Sequence, residues 1–273
     1  MATPREFLTS ARWHTGGAYT CMRVTGEHIH LWEFHYRRLG VLDSQVEGLH
    51  KQIVDGVRSH APSDSTATWM VTVLCADNSF LIHVYKMPGL RLDDKGDVLP
   101  IDVLVHGAPR ARAHVKHVQW IQDRVPIEEY ARSFATSVGL KEPFGEVVLQ
   151  RCSTNADTTP RTELLEGLIT NFFVWRQGTL FTAADHDDIL HGSSRHLVLN
   201  ACRRLHIPVQ FTAPCWEESA TWDAAFVTSV VKLVVPVRAM YDTSGSVTTL
   251  PVPPILADIR TMVRQLMQED AGR

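Results

Sequence analysis

The sequence has no apolar run approaching the ~20 residues needed to cross a bilayer, and Met1 to Arg12 contain no apolar signal-peptide core. No membrane partner is expected. Paired cysteines are missing as well. The five cysteines, Cys21, Cys75, Cys152, Cys202 and Cys215, are odd in number, widely spaced and without a Cys-x-x-Cys pair, which argues against a disulfide framework or a zinc ribbon and suits a reducing compartment. Basic excess is lacking too: 27 Lys+Arg against 30 Asp+Glu give a net charge of -3. A nucleic-acid binder needs a cationic surplus to release counterions, so nucleic acid is not expected. The expected location is cytoplasmic. Arg5, Arg12, Thr9 and Ser10 give a weak hint of organellar import, which Glu6 opposes.

Histidine, by contrast, is plentiful, with 14 residues that include His28-x-His30, His114-x-x-His117 and the stretch from His186 to His191. None of these has third and fourth ligands at zinc-like spacing, so no metal site is expected. At 44% hydrophobic and 21% charged over 273 residues, the chain can bury one large or two medium cores.

Ala18–Thr25 and His28–Leu31 read as a hairpin about Gly26-Glu27, and 67–76 with 80–85 as a second about Asp77-Asn78. Between them, Glu33 to His60 carries Leu39, Leu42, Val46, Leu49, Ile53 and Val57 at three- and four-residue steps, predicting a helix with a core-facing stripe. A strand at 99–105 follows. Gly107-Ala-Pro109 breaks the pattern, which places a small N-terminal domain at 1–108, a junction at 109–114 and a larger C-terminal domain at 115–273. The second half predicts a helix at 127–138, a strand at 146–151, a mobile polar loop at 152–160 and an apolar strand at 170–175. After these come a helix at 193–205, strands at 225–231 and 233–240, and an amphipathic helix at 255–268. Two unlike halves of mixed strands and helices predict an α+β fold.

Four segments could carry chemistry. Lys116, just past the junction, is a surface amine or, among apolar and cationic neighbours such as His114 and His117, a usable nucleophile. Glu166 stands on a turn before the strand that includes Asn171. It reads as a solvated edge group, or as a carboxylate set against a ring nitrogen. Gly192-Ser193-Ser194 opens a helix, either as an ordinary N-cap or as a phosphate seat built from free backbone N–H groups. Finally, a histidine and an arginine stand three apart in the Trp32 to Leu39 segment, as a solvated basic face or a phosphate grip.

In order and spacing these segments resemble the class IV aminotransferases, the family of branched-chain aminotransferases, D-amino-acid aminotransferases and 4-amino-4-deoxychorismate lyases. The resemblance runs from Gly17-Ala-Tyr-Thr20 and Arg23 through His35-x-x-Arg38-Leu39, Lys116, Glu166 to Asn171 and Gly192-x-x-Arg195 to Val227-Thr-Ser-Val230 and Pro236-Val237. Trp32-Glu, Gly107-Ala-Pro-Arg110, Trp120 and Thr170-Asn-Phe-Phe173 place it nearest a eukaryotic, plant-type branch. The resemblance implies a two-domain fold-type IV enzyme, similar to D-amino-acid aminotransferase, with pyridoxal 5'-phosphate as cofactor. It further implies that Lys116 holds the cofactor as a Schiff base, Glu166 pairs with the ring nitrogen, and Arg38, Ser193, Ser194 and a loop at Ser229 and Val230 hold the phosphate, with Asn171 beside them. Two departures stand out. Val230 replaces a usual Ser or Thr, and Gln119-Trp120 leaves no obvious counterpart of the tyrosine that commonly meets the cofactor's phenolic oxygen.

The implied activity is transfer of an amino group from an amino acid to a 2-oxo acid by a homodimer. The first alternative is aminodeoxychorismate lyase, which releases pyruvate; Lys116-His117 leans that way, since bacterial lyases also place His after the lysine. The second is a non-catalytic relative, against which the joint presence of Lys116, Glu166, Asn171 and Arg38 argues.

Overall fold

The computed structural model describes residues 2–10, 17–60, 66–76, 79–153 and 160–271. Its elements in chain order begin with α1 (Pro4–Thr9), β1 (Ala18–Thr25), β2 (His28–Ile29), α2 (Trp32–Leu39), α3 (Asp43–His60), β3 (Thr68–Ala76), β4 (Ser79–Lys86) and β5 (Ile101–Val105). Then come α4 (Gln119–Asp123), α5 (Val125–Ser137), β6 (Glu146–Ser153), β7 (Arg161–Gly167), β8 (Asn171–Arg176) and β9 (Thr179–Thr182). The last are α6 (Ser193–Arg204), β10 (Val209–Phe211), β11 (Ala224–Thr228), β12 (Val235–Tyr241), β13 (Val247–Thr249) and α7 (Ile255–Ala271), with a 3-10 turn at Trp216–Thr221. No helix among the described residues is long and apolar enough to cross a membrane.

The chain forms two compact units, one of Met1–Gly89, Val115–Asp123 and Gln265–Arg273, the other of Leu90–His114 and Arg124–Arg264. They are interleaved, unlike the single junction at 109–114 drawn from the sequence. The physical reason is strand pairing: β5 hydrogen-bonds in parallel to β12 and to β6, which draws residues 90–114 into the second unit.

The first unit is built on an antiparallel sheet of order β2-β1-β3-β4. The predicted hairpin about Gly26 is present, with Val24 opposite Ile29; the turn at Asp77-Asn78 lies outside the described residues. Met22, Val24, Val71 and Val73 recur at alternate positions and bury one sheet face against Leu49, Ile53 and Val57 of α3. Truncating either Leu49 or Ile53 to Ala costs about 2 to 5 kcal/mol in such a core. The helix expected from Glu33 to His60 is two helices. Gly40 at φ 65 ends α2, with its N–H donating to Arg37 O and that of Val41 to Tyr36 O. Leu42, counted in the predicted stripe, is 65% exposed because it lies in the break. On the other side, Tyr19, Leu74 and Ala76 pack with Leu8 and Ile121, which seats the 115–123 segment.

In the second unit the strand path β8-β11-β12-β5-β6-β7 closes on itself, because Glu166 of β7 pairs with Asn171 of β8. β9, β10 and β13 extend it. Val103 and Val105, Phe172 and Val174, Ala225 and Val227, and Val235 and Val237 are alternate residues that share one core, the filled interior of a small barrel-like sheet. The strand expected over 225–231 stops at Thr228: Leu233 N–H donates to Ser229 O at 2.8 Å, folding 229–233 into a turn. The polar loop expected at 152–160 falls mostly on 154–159, outside the described residues. The α+β class read from the sequence holds.

Candidate active site

In the first unit, Lys116 is placed by its own backbone. Its carbonyl accepts Tyr19 N–H at 2.7 Å, Val118 N–H donates to Gly17 O at 3.0 Å, and His117 bridges Ala18. The segment thereby adds to the start of β1. Gly17 permits a close approach of β3 at the same point, since a Cβ at that position would lie 2.5 Å from Cys75 O. The ammonium of Lys116 stands 4.9 Å from the centroid of the buried Tyr19 ring, within cation–π range. His35 is 2% exposed and shares a 2.7 Å hydrogen bond between Nδ1 and Thr20 Oγ1. Burial pushes its imidazole down to about 3, and the charges of Arg38 and Lys116 push the same way. His35 is therefore neutral at pH 7, in a pocket of positive charge. Arg38 is half-buried and lies over Phe34, whereas Arg37 is exposed and pairs with Glu33 at 2.5 Å.

In the second unit, Glu166 is 3% exposed, not a solvated edge group. Its Oε1 accepts Arg110 Nε–H at 2.8 Å and its Oε2 accepts Leu190 N–H at 2.9 Å. Arg110 also donates to the carbonyl of Ala113. Desolvating a lone carboxylate costs several kcal/mol, and the guanidinium offsets it. Asn171, paired with Glu166 across β7 and β8, donates from Nδ2 to Leu190 O at 2.7 Å. Glu166 and Asn171 thus hold both backbone polar groups of Leu190. That fixes the loop feeding α6.

Helix α6 opens at Gly192 without a side-chain cap and without an acidic residue in its first turn, and Ser193 and Ser194 are buried. A Cβ on residue 192 would meet Asn171 Oδ1 at 2.1 Å, so any larger residue there would displace the Asn171 side chain. Uncapped N–H groups at a helix start suit a phosphate. Arg195 in the same turn is engaged elsewhere, with Asp185 at 2.7 Å and Ala183 O at 2.9 Å. Thr228 stands opposite Asn171, which brings the half-buried Ser229 and Val230 to the same end of the sheet. Ser229 Oγ accepts Lys232 N–H at 3.1 Å and so shapes its own turn.

Residues able to hold pyridoxal phosphate are therefore present in both units. The buried carboxylate of Glu166 holds the Arg110 guanidinium on Oε1 and the Leu190 N–H on Oε2, and a carboxylate is an acceptor suited to a ring N–H. The uncapped start of α6 offers donors to the phosphate. In the sequence, Arg110 and Tyr19 stand within matched motifs, but no task for them is legible there. The signal for Arg110 is the acid itself, because a carboxylate buried before an apolar strand demands a cation nearby.

Residues 150–240 match the family Amino-transferase class IV. A comparison with the curated proteins gives no match. Among solved structures, the branched-chain aminotransferase of Thermoproteus uzoniensis with norvaline is 19% identical with a TM-score of 0.68, covering 94% of this chain and 87% of that one. A putative 4-amino-4-deoxychorismate lyase from Legionella pneumophila is 15% identical with a TM-score of 0.66, covering 93% and 91%. The PLP-bound form of a hypothetical aminotransferase from Mycobacterium tuberculosis is 13% identical with a TM-score of 0.66, covering 99% and 94%. The chain thus carries the class IV aminotransferase sequence pattern across residues 150–240 and, over nearly its whole length, the fold of the fold-type IV pyridoxal-phosphate enzymes.

Proposed function

We propose that the protein is a pyridoxal-phosphate-dependent amino-acid aminotransferase that passes the amino group to a 2-oxo acid and works as a homodimer. The observation that carries this reading is the buried Glu166 with its Arg110 partner, because an ionised carboxylate kept out of water needs a task beyond packing. Pyridoxal phosphate, when bound, supplies the electron sink that stabilises negative charge at the substrate Cα. Glu166 would accept the ring N–H and hold that nitrogen protonated. Arg38, the first turn of α6 with Ser193 and Ser194, and the turn at Ser229 and Val230 would bind the phosphate. At Val230 only the backbone can serve. Lys116 Nζ would hold the cofactor and, once released, take the proton from the substrate Cα.

The lyase is the second reading, supported by the Legionella likeness. Its sequence hint, His117 after Lys116, is weakened locally, since His117 Nδ1 accepts Gln119 N–H at 3.1 Å at the start of α4. The deciding experiment is a panel of L- and D-amino acids, including alanine, glutamate and the branched-chain set, added without a 2-oxo acid. A transaminase keeps the amino group on its cofactor, so at least one donor is expected to bleach the visible band within minutes. No bleaching, together with pyruvate release from aminodeoxychorismate, establishes the lyase instead.

A further inference from the structure

Within the first unit, His28, His30 and Asp270 bring three potential ligand atoms within 4.8 Å of one another, 242 residues apart in sequence at the extremes, and none of the three has been given a catalytic task above. His28 Nε2 lies 3.0 Å and His30 Nδ1 3.9 Å from Asp270 Oδ2. Tetrahedral zinc with bonds of about 2.0 to 2.1 Å holds its ligand atoms roughly 3.3 to 3.4 Å apart. Side-chain rotations that shift these atoms by about 1.5 Å or less close the set.

The bland account is a tether: Asp270 accepts Leu31 N–H at 2.9 Å and the His28 hydrogen bond, fastening the end of α7 to the β1–β2 hairpin. That account leaves His30 unexplained. Its side chain is 9% exposed, and its Nδ1 is buried without a hydrogen-bond partner. The Met267 backbone acts on the same ring. The other nitrogen, Nε2, is 3.0 Å from Thr25 Oγ1, itself 3.4 Å from Thr68 Oγ1. With the proton on Nε2, donated to Thr25, Nδ1 keeps its lone pair and stands 3.9 Å from Asp270 Oδ2. A ligand imidazole oriented through its second nitrogen, and a ligand carboxylate fixed by a backbone N–H, are the outer contacts that metal sites use.

We propose that His28 Nε2, His30 Nδ1 and Asp270 Oδ2 form a binding site for a divalent transition metal of the zinc class. Two imidazoles and one carboxylate select Zn²⁺ and its neighbours over Mg²⁺ or Ca²⁺. The side chains of His28 and Asp270 are each 31% exposed, which gives water access to a fourth position. For His28 to bind, its proton moves from Nε2 to Nδ1, and the metal replaces the His28–Asp270 hydrogen bond. Occupancy would clamp residues 265–271 of α7 to the hairpin and stabilise the fold by mass action.

The test uses the full chain, stripped with chelator and titrated with Co²⁺ and then Zn²⁺. One equivalent of Co²⁺ should give the visible bands of a tetrahedral site, Zn²⁺ should displace it, and Zn²⁺ should raise Tm. Asp270→Asn and His28→Gln, at half-exposed positions that tolerate change, should each weaken uptake about tenfold or more and abolish the Tm rise, with unchanged circular dichroism. Thr25→Val should weaken uptake while leaving all three ligands in place. Uptake of equal affinity in Asp270→Asn and His28→Gln, or none in the natural protein at tens of micromolar metal, overturns the proposal. Should His30→Gln fail to fold, the other two variants decide.

Discussion

Arg110 donates its Nε–H to Glu166 Oε1 at 2.8 Å, with the two side chains only 5% and 4% exposed. The pair should behave as a unit. Arg110→Met alone takes the guanidinium away from a buried carboxylate and should cost about 3 to 5 kcal/mol of stability. The double variant Arg110→Met, Glu166→Gln should recover much of that. Urea titrations of the two singles and the double close the cycle; additive losses would show that the ion pair does not couple the two residues.

Glu166→Gln by itself should keep much of the bound cofactor and slow turnover, since a neutral amide does not hold the ring nitrogen protonated. Removing one preorganised electrostatic partner costs about 2 to 4 kcal/mol in the transition state. Near-normal kcat in a folded Glu166→Gln protein would place the nitrogen's partner elsewhere.

Lys116→Ala should abolish the visible absorption band, and borohydride should fix the cofactor to Lys116 of the natural protein, read by peptide mass. Labelling of a different lysine rejects the assignment.

Arg38→Ala should weaken cofactor affinity by about 1.5 to 3 kcal/mol, the scale of a charge-assisted phosphate contact. Arg37→Ala should barely matter: its side chain is 71% exposed and engaged with Glu33. Equal losses at both positions would count against the register of α2.

His35 supplies a pH dependence. Its folded value, about 3, lies below the ordinary 6.5. Between those values the unfolded chain binds a proton that the folded one refuses, so stability is full above pH 6.5 and falls as pH drops toward 3. The slope is at most about 1.4 kcal/mol per pH unit. His35→Gln should flatten urea midpoints between pH 5 and 7 relative to the natural protein. Parallel curves would mean that His35 is not the buried neutral group.

What the sequence made legible was local. The β1–β2 hairpin, α6 and α7 follow from turn residues and periodicity, and each is found close to its expected bounds. The break at Gly40 was written in the sequence, but the apolar stripe ran through it at plausible spacing. β7, β9, β10 and β13 escaped notice because they are short or polar and owe their existence to partners; Val209, for example, pairs with Leu180. In the site, Lys116, Glu166 and Asn171 stood out only as an ordered set. Arg110 lies 56 residues from Glu166, and Asp270 lies 242 from His28, so no spacing rule joins either pair.

The parallel pairing of Ile101 with Val237 also bears on how the chain comes to be folded during synthesis. β1 to β4 are neighbours in sequence and can assemble as soon as residue 86 is free of the ribosome. β5 can pair with β6 first, but its other edge must wait for β12, more than a hundred residues later, with part of the core around Val103 and Val105 missing meanwhile. Long-range pairing of this kind slows folding and lengthens exposure to aggregation. Slow translation or a chaperone should therefore benefit the second unit far more than the first.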